Sequence, residues 1–460
     1  MTKPRITRRE VLRQAGVSGA LALGAPVLGA LQAGEHPAGR SPHVPPGILP
    51  DLWQISQRAE TLLEEITQRG CMFFWEQGDP NTGLVRDRAT MQGNSSSRTA
   101  SIAATGFGLS ALCIAAHRKY LPQADVEKRV ENCLEFMLDK ARNVYGFYFH
   151  FLDMQTGDRL FNCELSSIDT VLLMCGVLLC RSYFNNPKIE SLANRMYRRM
   201  DWNWMLNGGK TPSMGWYPSK GFIPSRWDTY AEMMNMYLMA IGSPTNPLPP
   251  STWDLLKRPE VDFGGVDYIS GAPPIFVHQY SHAWCDFRGL RDKHANYFLN
   301  SIAATRAHQL FCLTLGSRFP WINQDLWGIT ASDSRTGYRV WGGPPEDGRI
   351  DGTLVPCATG GSLVFLPAEC SHVLLSMRER FGNKVYGRYG FIDSFQPQAN
   401  WFSPDVIGIN QGITVLMAEN LRTGFVWEQF MKNKEIRRAM ELVDFHTDPG
   451  IKVLNNEHNG

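Results

Sequence analysis

The stretch Ser101–His117, SIAATGFGLSALCIAAH, is the strongest indication of the fold, because the helix that it forms would be apolar on more than one face. The stretch Ser166–Cys180, SSIDTVLLMCGVLLC, has the same character. Such a helix is stable in water only when neighbouring helices cover it on several sides. The two stretches therefore predict two concentric layers of helices.

Helical patterns alternate with connections rich in Gly, Pro and aromatic residues along almost the whole chain. The strand patterns are short: YGFYFHFLDMQTGDRLF (145–161) predicts a hairpin around Gln155–Gly157, and GYRVWGG (337–343) predicts another extended segment. Since no linker interrupts residues 50–445, we predict one all-α domain, an α/α toroid with short β-hairpin decorations. The predicted helices cover residues 52–69, 98–119, 124–140, 166–184, 188–202, 228–241, 295–315, 362–381, 405–422 and 425–441.

The composition excludes some partners and suggests others. A net charge of +2 on 460 residues, without a long basic run, gives no reason to expect a nucleic-acid partner. The chain has 13 Trp, 14 Tyr and 24 Phe, many of them in Gly- and Pro-rich connections. Flat apolar rings in connections cap a core or line a cleft that suits sugars.

The N-terminus reads as an export signal. Arg8–Arg9 in ITRREVLRQAG is followed by a modestly apolar region and by small residues near Ala30 or Ala33, the order of a twin-arginine signal peptide. We therefore assign residues 1–33 to a signal peptide, and we expect a periplasmic or secreted protein with no membrane contact after cleavage. Residues 34–50 read as a linker and residues 446–460 as a C-terminal tail, which leaves 51–445 as the folded domain; we expect a monomer.

The ten cysteines show no compact spacing pattern and no CxxC pair. Several lie in apolar helical contexts, where cysteine behaves as a small hydrophobic residue. Twin-arginine substrates fold before export, in a reducing compartment. We therefore expect mostly free, buried thiols.

One acid stands out in Trp227–Pro244, WDTYAEMMNMYLMAIGSP. The pattern predicts a buried helix with Asp228 and Thr229 as candidate caps and Glu232 in its first turns. Burial among Met and Tyr disfavours the charged form of a carboxyl group and suits a general acid. The alternative is that Glu232 faces water and only stabilises the helix N-terminus.

Further acids lie among aromatic and Gly residues, and glycoside hydrolysis needs two facing carboxyl groups, one protonated and one ionised. Glu232 has the first kind of setting and Asp393, in a Gly/Ser/Gln turn, has the second. Asp169 and Asp405 also fit structural roles at helix starts. The acids concerned are Glu164, Asp169, Glu232, Asp286, Asp333, Asp351, Asp393 and Asp405.

Other motifs carry less. HQYSH places His278 and His282 four residues apart, but HExxH is absent, so we expect no metal site. The two imidazoles either bind a polar ligand in a cleft or are satisfied structural groups. NGGKT (207–211) lacks the first Gly of a phosphate loop, and GxSxG is absent.

If the cleft binds sugars, rings would cover the apolar faces of the pyranoses and polar groups would bind hydroxyls. Each ring could equally be core packing, Trp284 in particular. The candidate rings are Trp227, Tyr280, Trp284, Trp341 and Trp401, and the candidate polar groups are His278, Gln279, His282, Arg288 and Asp333.

Four long, ordered motifs carry a resemblance. The first two are WDTYAEMMNMYLMAIGSPTNPLP and PIFVHQYSHAWCDFRGL. The other two start with WGITASDSRTGYRVWGG and GFIDSFQPQANWFSPDVIGINQG. Together they resemble the glycoamylase-like family of bacterial glycoside hydrolases, whose characterised members include endo-β-1,2-glucanases, over residues 55–435. The resemblance implies an (α/α)6 barrel whose central cleft binds a glucan and hydrolyses it without a metal or an organic cofactor.

The resemblance also implies roles for three carboxyl groups. The Glu of the family's Tyr-x-Glu-x-Met stretch matches Glu232, the best candidate for the general acid. The Ser-x-x-Asp-Thr helix start matches Asp169, and the Gly-Phe-x-Asp-x-Phe turn matches Asp393. Relatives often carry Asp in an I-D-Q-G stretch, where this chain has Asn410 in INQG.

Three functions stay open at this point. The first is an exported hydrolase that cleaves inside a β-glucan, with β-1,2 linkages favoured. The second is a barrel that binds glycans without hydrolysing them, for which Asn410 is the warning sign. The third is a polysaccharide lyase on the same architecture.

Overall fold

The computed structural model describes residues 55–449, so the predicted signal peptide, the linker and the chain beyond 449 lie outside the described residues. The described part is predominantly helical. Its α-helices are α1 (Gln57–Glu76), α2 (Ile102–His117), α3 (Gln123–Asp139), α4 (Ser167–Tyr183), α5 (Pro187–Arg199), α6 (Trp202–Leu206), α7 (Met234–Gly242), α8 (Tyr297–Thr314), α9 (Pro356–Gly360), α10 (Pro367–Phe381), α11 (Gly408–Thr423), α12 (Phe425–Phe430) and α13 (Lys434–Leu442).

Four helices of the inner layer are buried over most or all of their length. Every residue of α2 from Ile102 to Ala116 is buried, and α4, α7 and α11 are buried over most of their length. Glycines bring α2 and α4 close together: a Cβ added at Gly106 would lie 2.1 Å from the Leu172 carbonyl oxygen. A side chain there would force the two helices apart, so Gly106 is required by the close approach of the backbones.

The outer layer covers these helices, and the two layers alternate along the chain. In chain order, outer and inner helices alternate as α1 and α2, α3 and α4, α5 and α7, α8 and α9, and α10 and α11. In the remaining pair, short 3-10 turns replace the helices: Pro250–Leu255 outside, and Ile275–His278 with Ser281–Ala283 inside. The predicted two-layer (α/α)6 barrel is thereby confirmed.

The inner helices run parallel, which gives the barrel two different ends. Near their starts, α2 and α4 meet at Gly106 and Leu172; near their ends, the Sγ atoms of Cys113 and Cys180 lie 3.5 Å apart. We call the end where the inner helices begin the open end and the other the closed end. The open end carries the long connections 77–101, 140–166, 200–233, 315–355 and 382–407, whereas the closed end carries the short ones 118–122, 184–186, 243–249 and 361–366.

Short strands decorate the barrel, most of them at the open end. A five-stranded antiparallel sheet has the order β3-β4-β6-β7-β8, and the other sheets are two-stranded pairs. The strands are β1 (Arg88–Thr90), β2 (Thr99–Ser101), β3 (Asn143–Val144), β4 (Phe147–Phe149), β5 (Phe151–Asp153), β6 (Leu165–Ser166), β7 (Gly215–Tyr217), β8 (Gly221–Phe222), β9 (Glu260–Phe263), β10 (Val266–Ile269), β11 (Leu290–Arg291), β12 (Tyr386–Gly387), β13 (Gly390–Phe391), β14 (Phe395–Gln396), β15 (Trp401–Phe402), β16 (Asp405–Ile407) and β17 (His446–Thr447).

The predicted hairpins form only in part. Residues 145–161 contain β4 and β5, but β5 pairs with β2, and the turn after it is closed by a single bridge between Leu152 and Arg159. The segment 337–343 forms isolated bridges rather than a strand, from Arg339 to Ser332 and from Gly342 to Asp347.

The helix predicted over 228–241 begins later, at Met234. Thr229 forms a parallel bridge with Lys257, and the Tyr230 N–H donates to the Lys257 carbonyl oxygen at 2.8 Å. This contact holds residues 228–230 extended. Asp228 and Thr229 are therefore not helix caps, and the prediction that they are was wrong.

The C-terminal part of the described chain remains packed on the barrel beyond Phe445. Strand β17 pairs with β11, and the Asn296 amide donates to Asp448 at 2.9 Å. The ten cysteines are free and buried, as predicted. Among the helices of residues 55–449, none combines the length and apolar character needed to span a bilayer.

Candidate active site

Glu232 lies in a turn two residues before α7, not inside the helix as the sequence predicted. It is buried, with 2% of its surface exposed. The Ser281 hydroxyl donates to the Glu232 carbonyl oxygen at 2.8 Å. Its backbone is thus fixed by Ser281 on one side and by the fully buried α7 on the other.

Trp227 connects this turn to the next inner helix. Its indole N–H donates to the Ser167 hydroxyl at 3.0 Å, and its carbonyl oxygen accepts a bond from the Tyr237 hydroxyl. Ser167 begins α4, whose first turn carries Asp169. Glu232 and Asp169 therefore belong to neighbouring inner-helix starts at the open end. Trp227 is 2% exposed and supports this arrangement from within.

Asp169 belongs to a buried cluster with Glu164 and His150. The His150 Nδ1 atom lies 3.1 Å from Glu164 Oε1 and 3.7 Å from Asp169 Oδ2. The Ser166 hydroxyl, at the N-cap of α4, donates to Asp169. One ligand atom from each of the three residues lies within 4.8 Å of the other two, which is close enough to hold a cation.

Asp393 lies in the connection between β13 and β14 and is 3% exposed. The Asn410 amide donates to its Oδ1 at 2.7 Å, and the backbone N–H of Asp333 donates to its Oδ2 at 2.7 Å. Asn410 is in the first turn of α11, so two distant segments hold this carboxylate in one orientation.

Burial, together with the charge of Asp333, raises the pKa of Asp393 to about 7. The two donated hydrogen bonds and Arg88 oppose this shift without cancelling it. The sequence predicted an ionised carboxylate in a polar turn. The structure instead shows a buried group that exchanges its proton near neutrality, because the turn is covered by the 315–355 connection.

Arg88, on β1, organises the acids around Asp393. Its guanidinium contacts Asp333 at 2.7 Å, Asp87 at 3.2 Å and Asp405 at 3.7 Å. These charges raise its pKa further, so it remains a cation. Sequence reasoning missed Arg88 and His150. The only signal was that both lie in connections that enter an inner helix.

A small cavity adjoins Asp393 and has room for about one water molecule. The Gln411 side-chain nitrogen, which is buried there, has no hydrogen-bond partner among the described residues. The cavity is therefore a polar space next to a carboxyl group that titrates near neutrality. Its lining comprises Ile66, Pro356, Cys357, Phe391, Ile392, Asp393, Val406, Ile407, Asn410, Gln411 and Thr414.

Two predicted sugar-binding rings, Trp341 and Trp401, lie in open-end connections, as does Asp333. Trp341 is 3% exposed, and its indole nitrogen has no partner in the part of the chain that the structure describes. Trp401 is half-buried on β15, opposite Gln396 and close in sequence to Asp393.

Several other candidates are core residues. The indole N–H of Trp284 donates to the Ser110 hydroxyl at 2.9 Å, and its ring packs on Phe107, 4.7 Å between centroids. Tyr280 packs edge-on against the same Phe107. Gln279 is buried and donates to the Ala358 carbonyl oxygen and to the Ser362 hydroxyl. These contacts describe core packing, not a binding surface.

His278 and His282 are also structural in their contacts. His278 Nε2 lies 3.1 Å from the Ser270 hydroxyl and His282 Nε2 lies 3.0 Å from the Ser301 hydroxyl. Burial lowers the pKa of each imidazole to about 3, so both are neutral. The buried Nδ1 atoms of both rings have no hydrogen-bond partner among residues 55–449, so these contacts satisfy only one nitrogen of each imidazole and leave both interpretations open.

Arg288 lies at the wrong end of the barrel for the predicted role. Its guanidinium pairs with Asp286 at 2.8 Å and stacks over Trp427 of α12, at 4.2 Å from the ring centroid. Because α12 follows the end of inner helix α11, this is the closed end. The prediction placed Arg288 with the acids because the topology that separates them is not visible in a local motif.

Comparison with known proteins gives the chain its relatives. The family model "Glycoamylase", described as "Putative glucoamylase", matches residues 224–434, a region that contains Glu232 and Asp393. The chain is 26% identical over 428 residues to an exo β-1,2-glucooligosaccharide sophorohydrolase (non-reducing end) of Parabacteroides distasonis. That match covers 84% of this chain and 58% of the relative, so the chain spans little more than half of its length.

Solved structures share the fold. An endo-β-1,2-glucanase from Chitinophaga pinensis, solved with sophorotriose and glucose, matches with a TM-score of 0.78 and 25% identity, over 86% of this chain and 100% of that one. A β-1,2-glucanase from Parabacteroides distasonis matches with a TM-score of 0.77 and 24% identity, over 84% of this chain and 60% of that one. The resemblance to the glycoamylase-like family that the motifs carried is confirmed.

Proposed function

We propose, on the premise that the chain is a member of the glycoamylase-like family, that it is a glycoside hydrolase that cleaves inside a β-1,2-linked glucan. One observation carries the proposal: the family's acidic motifs converge on one end of the barrel, where Glu232 and Asp393 are both buried. Two buried carboxyl groups in different settings are what glycosidic cleavage requires. The glucan is the substrate, and no cofactor takes part.

Glu232 is the proposed general acid. It donates its proton to the glycosidic oxygen as the bond to the anomeric carbon breaks, which makes the leaving sugar a neutral alcohol. Burial at 2% exposure excludes bulk water from this transfer, and the bond from Ser281 fixes the backbone from which the side chain projects. A fixed backbone limits the loss of orientation that would slow the transfer.

Asp393 is the proposed base, with Asp169 as the second choice. A base takes a proton from the attacking water, whose oxygen bonds to the anomeric carbon. A pKa of about 7 matches this task near neutral pH, because the group is partly ionised and still basic enough to accept a proton. The adjoining cavity has room for about one water molecule.

Sugar binding falls to three side chains in the open-end connections. The Trp341 indole nitrogen is buried without a partner among residues 55–449, so it is available to donate to a sugar hydroxyl. Trp401 offers a half-exposed ring, and Asp333 an acceptor that is already ordered by Arg88. Trp227 supports the site by holding α4.

Export completes the proposal: the chain leaves the cytoplasm through its twin-arginine segment and acts as a monomer. Replacing Arg8 and Arg9 with Lys should leave precursor in the cytoplasm, detected by fractionation and immunoblotting. Processing of that variant at the wild-type level would contradict the export route. Light scattering of the mature protein should give the mass of one chain.

A panel of defined glucans tests the activity. Purified protein is incubated with β-1,2-, β-1,3-, β-1,4- and α-1,4-glucans, and new reducing ends and product lengths are measured. We expect new reducing ends to be released from β-1,2-glucan. Because the proposed cleavage is internal, long oligosaccharide products should appear before short ones. Cleavage of another glucan alone would contradict the linkage, and unsaturated ends would identify a lyase.

Asn410 favours one second function, a barrel that binds glucan without hydrolysing it. The Asn410 amide donates to Asp393 at 2.7 Å. A carboxylate at position 410 would instead repel the carboxylate of Asp393. If the base must be an aspartate at position 410, this chain retains the fold and the binding but not the chemistry. Binding of β-1,2-glucan by calorimetry with no new reducing ends would establish this second function.

A further inference from the structure

The tight turn Leu160–Cys163 contains a phenylalanine at a position that usually requires Asn or Gly. The Cys163 N–H donates to the Leu160 carbonyl oxygen at 3.1 Å, and its central residues, Phe161 and Asn162, have φ of 54° and 49°. Positive φ at both central positions is the type I′ arrangement, for which Asn-Gly is preferred. Phenylalanine is disfavoured there because its Cβ crowds the backbone.

The packing of Phe161 compensates for little of this cost, because most of the residue is exposed. Its side chain is 63% exposed, the largest fraction among the large hydrophobic residues in the described part of the chain. A backbone conformation and an exposure that are both unfavourable, at the same residue, indicate that the ring serves something other than stability.

The turn is nevertheless firmly held. The guanidinium of Arg159 donates to the Cys163 carbonyl oxygen at 2.6 Å and also to the Asn162 carbonyl oxygen. The Leu160 N–H donates to Phe151 at 3.0 Å. The ring is therefore presented at one fixed place instead of on a loose loop.

That place adjoins the acid cluster at the start of α4. The Phe161 ring meets Phe151 edge-on at 6.0 Å, and Phe151 stacks on His150 at 4.0 Å with an interplanar angle of 12°. His150 in turn contacts Glu164 and Asp169. Phe161 precedes Glu164 by three residues, so their Cα atoms are at most about 10 Å apart.

We propose that Phe161 is an outer sugar-binding subsite, on which a glucose unit stacks where the glucan chain leaves the cleft beside Glu164 and Asp169. The exposed face of the ring fits the apolar face of a pyranose, and the exposed amide of Asn162 is beside it to bind hydroxyls. This inference rests on the proposed function, because it takes the bound chain to be a glucan.

The chain offers a matched control in Tyr145. This residue also opens a two-residue turn with positive φ, 51°, before Gly146, and it is 55% exposed. Its ring, however, packs on Trp204 at 4.9 Å. It precedes β4, whereas His150 follows β4, so the length of that strand separates it from the acid cluster.

The experiment compares Phe161→Asn with Tyr145→Asn, since Asn suits a left-handed position in both turns. KM, kcat and calorimetric Kd are measured for β-1,2-gluco-oligosaccharides of increasing length, together with Tm. For Phe161→Asn we expect KM and Kd to rise about 2- to 10-fold for long chains only, with kcat and Tm not lowered. Tyr145→Asn should leave KM and Kd unchanged.

Three outcomes would overturn the inference. They are a lower Tm with unchanged KM for Phe161→Asn, an equal rise in KM at every chain length, and a loss of self-association, which would show that a second copy covers the ring. Absence of cleavage by the wild-type protein would instead contradict the proposed function. The calorimetric comparison of the two variants would still decide the role of Phe161.

Discussion

The two ends of the barrel differ in how their buried and partly buried carboxylates are paired. At the closed end, Glu419 accepts a bond from Arg118 at 3.0 Å and lies near Arg422. Glu435 pairs with Arg181 at 2.7 Å. Each of these acids thus has at least one guanidinium of its own.

At the open end, two clusters of acids each share one basic side chain. Arg88 alone faces Asp87, Asp333 and Asp405, and the single imidazole of His150 faces both Glu164 and Asp169. A shared partner compensates each charge less than a partner of its own does, which is less favourable for stability. A catalytic site, in contrast, needs carboxyl groups whose protons can be exchanged. We infer that acids at the closed end stabilise contacts between helices, whereas the proposed catalytic acids at the open end retain exchangeable protons.

The largest expected effect is on catalysis at the open end. Glu232→Gln removes the proposed acid while preserving size and burial, so hydrolysis of glucan should fall by roughly two to four orders of magnitude. Tm should change little. The control is Glu428→Gln, an exposed glutamate of α12 at the closed end, which should keep full activity. Near-normal turnover by Glu232→Gln would return that residue to a structural role.

The closed end should show the opposite pattern. Arg118→Met leaves buried Glu419 with only the more distant Arg422, so the free energy of unfolding should fall by about 3 kcal/mol. Activity below the melting transition should be unchanged. Arg58→Met, which breaks an exposed pair with Glu379, is the control and should cost less than about 1 kcal/mol in urea denaturation. A loss of kcat in Arg118→Met without a loss of stability would remove the contrast between the ends.

The pH dependence of the free energy of unfolding gives a further test of the open end. The folded-state pKa of Asp393 is about 7, above the unfolded value of 3.8, so between these values the folded state binds more protons than the unfolded state. The contribution of Asp393 to the free energy of unfolding therefore falls as pH rises from about 4 to 7. In Asp393→Asn this fall should be absent. As pH rises from about 4 to 7, the free energy of unfolding of the variant should therefore increase relative to that of the wild type.

The same ionisation should appear in the rates. If Asp393 is the base, kcat/KM of the wild type should rise with pH through about 7, and Asp393→Asn should lose this limb along with most of its activity. Urea denaturation and initial rates across pH 4 to 8 measure both effects. Parallel stability curves for the two proteins would show that Asp393 does not titrate in this range.

The smallest effect is expected from chelation. Although His150, Glu164 and Asp169 lie close enough to hold a cation, we expect the acid–base reaction to proceed without one. Dialysis against a chelator should therefore leave the rate unchanged. Arg288→Met should likewise leave glucan affinity unchanged, because Arg288 is at the closed end. A rate restored by added zinc after dialysis would show that the cluster binds a functional metal.

The sequence was sufficient to predict the barrel because the inner helices can be recognised from their local apolar pattern. An all-round apolar helix such as α2 must be covered, and Gly106 within it permits the close approach to α4. The start of α7 was misplaced because Lys257, which holds residues 228–230 extended, is a non-local partner. Boundaries set by distant contacts are not encoded in the periodicity.

The site was predicted less completely than the fold. Glu232 was found because it is a lone acid in an apolar stretch, and Asp169 because it matches a family motif; the structure places both at the starts of inner helices. Arg288 was misplaced because its motif runs from one end of the barrel to the other. Arg88 was missed because its three acidic partners come from three separate segments.

The most direct test is a crystal structure of the Glu232→Gln variant with a bound β-1,2-gluco-oligosaccharide. We expect a sugar chain across the starts of α4, α7 and α11, with a glycosidic oxygen within about 3 Å of the side chain at position 232. We also expect the closed end, around Arg288, to be free of sugar. A chain bound at the closed end, or a glycosidic oxygen out of reach of position 232, would contradict the proposed site.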